Sequence, residues 1–102
     1  MSRASVSHIC RVAAAGCVIG NRSLDECEGR IEVHHVAEGS GLRSDFSVVG
    51  LCTKHHDSAR SGTGFHGMGT ERFCKLFRVP GETEYGLLVM ANEDMAKQRR
   101  AA

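Results

Sequence analysis

Two short stretches, Val33-His34-His35-Val36 and Gly50-Leu51-Cys52-Thr53-Lys54-His55-His56-Asp57, hold four of the six histidines in this chain of 102 residues. Imidazole and thiolate bind zinc and related divalent ions, and packing alone gives no reason to crowd them in this way. Cys52-x-x-His55 is a spacing suited to a tetrahedral structural zinc, because a tight turn into a helix aims both side chains at one centre. Cys17 and Cys27 bracket a polar upstream loop and would complete a closed Cys3His set. The binding energy of such an ion counts directly toward folding.

A second group invites different chemistry. Neighbours on a strand point to opposite faces, so His34 and His35 are expected to do different jobs, one binding metal and the other facing a substrate as a base. His56 and an oxygen ligand, with Asp45 nearest, would complete a nitrogen-and-oxygen site with open positions. The other chemistry-bearing residues have plainer readings. His8 is expected to be a surface or hydrogen-bonded residue, and Cys10 and Cys74, on apolar helix faces, are expected to be small core residues.

These side chains need elements to position them. Val6, Ile9, Cys10 and Ala13 recur at helical spacing, so residues 4–15 predict a helix that Gly16 ends. Residues 17–29 predict a loop. Ile31, Val33 and His35 alternate with Glu32, His34 and Val36, which predicts a strand with two distinct faces, and residues 46–51 predict a second. The glycine- and serine-rich connection from Ala37 to Asp45 joins them. Thr53 is expected to cap a helix over 54–60 that puts His56 and Arg60 on one face, stopped by residues 61–64. Thr70 is expected to cap another, with Phe73, Leu76 and Phe77 as its apolar stripe and Pro80 and Gly81 closing it. A last helix begins near Glu82 and runs into a basic tail. The fold class expected is α+β, a small ββα-metal core over about 17–66 with helical flanks at 4–15 and 70–98 and a structural zinc knuckle, in one domain spanning 1–102.

Size and composition narrow the function. So short a chain buries only about two thirds of its unfolded surface, so its core is thin and a metal would help. Five cysteines are an odd number, and the first twenty residues lack the features of a secretion signal. Reduced thiols in a cytosol are the expectation. No apolar run approaches the roughly 20 residues that span a bilayer. A formal net charge of +1 excludes a strongly basic coat, yet leaves room for a local stripe from Arg43, Lys54, Arg60 and the tail residues Lys97, Arg99 and Arg100. With aromatics at 5% and no Trp, stacking platforms for unpaired bases are not expected. A thiol redox protein is disfavoured because no Cys-x-x-Cys is present.

His34-His35, the connection from Gly39 to Phe46, Leu51-Cys52-Thr53-Lys54-His55-His56 and Gly64-Phe65-His66-Gly67 together resemble the HNH endonucleases. Within that superfamily they are most similar to the phage and prophage Ref (recombination enhancement function) nucleases, as is the upstream stretch from Arg11 to Ile19. The likeness covers roughly residues 9–80. It implies that His35 is the general base activating water and that His34 and His56 bind a divalent ion at the scissile phosphate. Asp45 would stand at the third motif position, and His66 would contact phosphate or metal. One departure is plain: Ref-like proteins usually carry Cys-x-x-Cys at the first knuckle, whereas Cys17-Val18-Ile19-Gly20 lacks the second thiol, which Cys27 could replace.

The function so implied is metal-dependent DNA hydrolysis, phage- or prophage-encoded, in recombination, repair or processing inside a bacterial cytoplasm. Zn2+ would be structural and Mg2+ or Mn2+ catalytic. Arg43, Lys54 and Arg60 would hold flanking phosphates of single- or double-stranded DNA without reading bases, giving weak sequence specificity. A recombination protein is a conceivable partner. The rival is a zinc module with a decayed site that binds nucleic acid or protein without cutting.

Overall fold

In the computed structural model, which describes residues 2–37, 43–57, 62 and 64–101 (the side chains of 37, 43 and 99–101 excepted), the chain opens with helix α1 (Arg3–Ala15). Ser2 caps it by accepting the Ser5 amide at 3.1 Å, and Gly16, at φ 89°, ends it as expected. Ser5 and Val12 are buried with Ile9 half-buried between them, a narrow stripe at i, i+4 and i+7. Cys10 lies off that stripe and is exposed, contrary to the core position expected of it. His8 is half-buried and its ring lies 5.4 Å from that of Phe46.

Strands β1 (Ile31–Ala37) and β2 (Arg43–Cys52) pair antiparallel, with His34 opposite Val49 and His35 opposite Val48. The second strand begins three residues earlier than its pattern indicated, and a bulge follows His35. Alternation then sorts the side chains. On one face Val36, Val49 and Leu51 join the main core with Phe65, Phe73, Phe77, Leu87 and Met90. On the other, Val33 and Val48 meet Val12 and Met95 in a smaller cluster. Gly50 makes the second contact possible, because a Cβ there would collide with the Gly16 carbonyl, and Val18 N–H donates to the Gly50 carbonyl at 3.1 Å.

Helix α2 (Thr53–His56) is a single turn, ended by Asp57 at φ 61°. The helix expected over 54–60 is thus much shorter, and Arg60 lies outside the described residues. Thr53 is the first helical residue rather than the cap; its amide donates to the Arg30 carbonyl at 3.0 Å, tying the turn to the start of β1. Helices α3 (Phe65–Met68) and α4 (Thr70–Leu76) follow, with Gly69 rather than Thr70 in the cap position of α4. Phe73 and Phe77 are buried edge-to-face at 4.9 Å, but Leu76 is 60% exposed. The helix stops at Leu76, and the turn that follows carries Phe77 inward while Leu76 stays out.

Helix α5 (Glu84–Ala101) buries Leu87, Met90, Ala91 and Met95 and leaves Val89 exposed. It also fastens the 17–29 loop. Buried Asp94 accepts from Arg22 at 3.0 Å and from Asn21 at 2.9 Å, while Arg22 reaches the Val18 and Met90 carbonyls at 3.0 and 3.2 Å. The result is a small α+β fold, a two-stranded antiparallel sheet packed between α1 and the later helices. Among the described residues no helix is long and apolar enough to cross a membrane.

Candidate metal centres

Cys17, Cys27, Cys52 and His55 converge, with one ligand atom from each lying within 4.8 Å of the others. His55 is fully buried, and its Nδ1 stands 3.0 Å from Cys52 Sγ, 3.5 Å from Cys17 Sγ and 4.0 Å from Cys27 Sγ. Zinc with Zn–S of about 2.3 Å and Zn–N of about 2.0–2.1 Å in a tetrahedron requires S···N edges of about 3.5 Å. The three separations bracket that value. On the far side of the ring, His55 Nε2–H donates to Asp25 at 2.9 Å, the carboxylate partner that fixes a ligating imidazole. This Cys3His group could hold zinc.

Cys27 Sγ lies directly beside Gly20. A Cβ at Gly20 would collide with Cys27 Sγ, so that sulfur fills the space into which a side chain at residue 20 would project. Charge also favours an ion. Burial pushes the Cys17 thiol up, and burial with the neighbouring Cys17 and Cys52 pushes Cys27 up to about 12. For Cys52 burial acts upward too, but backbone hydrogen bonds from His55 and Glu28 and the two neighbouring thiols bring it below its ordinary value. One thiolate is thus favoured at the expense of the others, and a divalent cation is what lets all three ionise together. A cleft of ≈ 800 Å3 lined in part by Cys17, Gly20, Glu26 and Cys27 gives an ion a way in.

The second group is His34, His56 and His66, again with ligand atoms within 4.8 Å of one another. His34 Nδ1 is 3.3 Å from His56 Nε2, which is 3.2 Å from His66 Nε2. Nitrogens about 2.0–2.1 Å from a tetrahedral ion stand about 3.3–3.4 Å apart. The other nitrogens of two rings have carboxylate partners: His34 Nε2–H donates to Glu84 at 2.7 Å and His56 Nδ1–H to Glu32 at 2.8 Å. Burial holds the His34 imidazole below its ordinary range, against the pull of Glu84, and so keeps it in the neutral form a ligand needs.

Asp45 is a correction. It was expected among the metal ligands, but it accepts a hydrogen bond from His35 Nε2–H at 3.1 Å instead. The bulge after His35 and the pairing of Ala37 with Arg43 bring Asp45 beside that ring. Lys54, expected at a flanking phosphate, pairs with Asp25 at 3.2 Å, beside the Cys3His group. The side chain of Arg43 lies outside the described residues, as does Arg60. His66, carried in the sequence as a contact to phosphate or metal, takes its place as the third nitrogen of the histidine group.

Three carboxylates escaped the sequence reading. Glu32 was detectable, because it lies two residues before His34 on the same strand face; Asp25 sits within the bracketed loop but carries no spacing signal. Glu84 lies fifty residues from His34, and only the docking of α5 brings it there.

No protein-family model, curated protein or solved structure matches the chain.

Proposed function

We propose that the chain is a metal-dependent phosphodiesterase acting on DNA, with an HNH-type site. The observation that carries this is the convergence of His34, His56 and His66 through one nitrogen each, next in sequence to a histidine whose ring is held by a carboxylate. Three protein ligands with an open fourth position suit an ion that binds a phosphate oxygen and stabilises charge on the leaving oxygen. The donors are all imidazole, which favours first-row transition ions such as Zn2+, Ni2+ or Mn2+ over Mg2+, an ion that prefers oxygen ligands.

His35 serves as the base. With Nε2–H given to Asp45, the lone pair of its other ring nitrogen would take a proton from water. It projects from the face opposite His34, and the outer edge of β1 has no strand partner among the described residues. A phosphodiester lying along that edge would meet the ion from one side and His35 from the other. Arg43 and Arg60 remain the cations proposed for flanking phosphates, with Mn2+ the favoured ion of the original pair. Binding without base contacts implies weak sequence specificity and weakening as salt rises. The Cys3His zinc is structural, and a role in recombination or repair in a phage-infected or lysogenic cell is part of the same proposal.

Supercoiled plasmid incubated with zinc-loaded protein and Mn2+, Ni2+ or Mg2+ tests it. Nicking is expected with a transition ion and none when no ion beyond the one structural zinc is supplied. No cleavage with any of these ions would leave the binding module as the better account.

A further inference from the structure

We propose that Glu84 is a positioning residue of the three-histidine centre, setting which nitrogen of His34 faces the ion and how strongly the ring binds. This rests on the reading that the centre holds a divalent ion. His34 is 5% exposed, and its ring stands 4.6 Å from that of Phe65, 5.2 Å from His56 and 5.3 Å from His66. An imidazole in such surroundings has two nitrogens and could present either by a turn of the ring. Glu84 removes the ambiguity. A carboxylate accepts and never donates when ionised, so at 2.7 Å it demands a proton on Nε2 and leaves the Nδ1 lone pair toward His56 and His66. The same bond raises the basicity of the ligating nitrogen.

Glu84 occupies the first turn of α5, where the exposed amides of a helix N-terminus favour negative charge. Ten residues further along the helix, Asp94 accepts from Arg22 and Asn21, in the loop that carries Cys17 and Cys27. One element therefore reaches from the thiol loop to a histidine of the other centre. That placement makes the geometry of His34 depend on a helix outside the ββα unit.

The test titrates Co2+ into full-length protein already carrying one zinc, following the visible absorption of the second site. The parent is expected to bind one Co2+. Glu84→Ala is expected to bind it about 10- to 100-fold more weakly while keeping its zinc, and Glu84→Gln, whose amide oxygen still accepts from Nε2–H, falls between the two. Histidine 15N spectra of zinc-loaded protein give a readout that a merely structural role would leave alone: Nε2 of His34 protonated in the parent and in Glu84→Gln, with that preference lost in Glu84→Ala. If Glu84→Ala fails to fold, Glu84→Gln decides, a weaker site supporting the assignment and an unchanged one overturning it. Glu84 variants that bind Co2+ like the parent, while His34→Ala does not, overturn the role of Glu84 alone. A parent that binds no second ion overturns the centre itself, and the inference with it.

Discussion

Stripping the Cys3His site with a strong chelator is expected to unfold this chain. A structural zinc contributes an apparent ~10–16 kcal/mol in small metal-folded domains, which matches or exceeds the ~5–15 kcal/mol that holds an ordinary domain together. The geometry says why so much depends on it here. Cys52 and His55 flank and form the single-turn helix α2, far too short to persist alone, and Cys27 lies in the polar later part of a loop whose anchors in the core, buried Val18 and Ile19 and the Arg22–Asp94 contact, lie nearer its start. Without the ion, three thiols and a fully buried imidazole share one cavity. Far-UV circular dichroism should show the helical signal and the cooperative melt lost together on chelation and regained with Zn2+.

The same centre yields a sharper variant. Cys27→Ala should lose zinc and fold poorly, whereas adding Gly20→Cys should restore one zinc per chain. Cys27 Sγ now occupies the space a side chain at residue 20 would enter, and Gly20 has no positive φ to forbid one. A melt unchanged by chelation, or a Cys27→Ala chain that keeps its zinc, would contradict the assignment.

The second large effect concerns His35. Replacing it with Ala is expected to slow DNA cleavage by about 10²- to 10⁴-fold, the usual contribution of a positioned general base. Folding should be little changed, because the His35 side chain is 31% exposed and belongs to neither metal group. DNA affinity should also hold, since phosphate contacts and the ion do not pass through that ring. Asp45→Asn should cost less, because its amide oxygen can still accept from Nε2–H. Single-turnover cleavage at saturating ion measures both, and a His35→Ala chain that cuts at the parental rate would assign the base elsewhere.

Much of this was legible because it is local. Alternation from Ile31 to Val36 fixed the two faces of β1, and with them the separation of His34 from His35. Cys52-x-x-His55 works because one helical turn spans the required distance. Gly20 leaves the space that lets a loop cysteine seven residues on reach the group. The failures are of another kind. Asp45 was misassigned because its partner depends on a bulge that no pattern in the strand announces. The helix after Thr53 was drawn too long because Asp57 adopts a left-handed conformation, which the residue type permits without requiring. Cys10 and Leu76 have helical spacing, but which side of a short helix meets the core is decided by its neighbours. Glu84 is the extreme case, since only the tertiary docking of α5 makes it a partner of His34.

The proposed function turns on adjacent histidines with separate duties. Counting the ions bound per chain by His34→Ala and His35→Ala, after both are loaded with Zn2+ and Co2+, tests that most directly. The prediction is two ions on His35→Ala and one, at the Cys3His site, on His34→Ala. Equal counts on the two variants would contradict it.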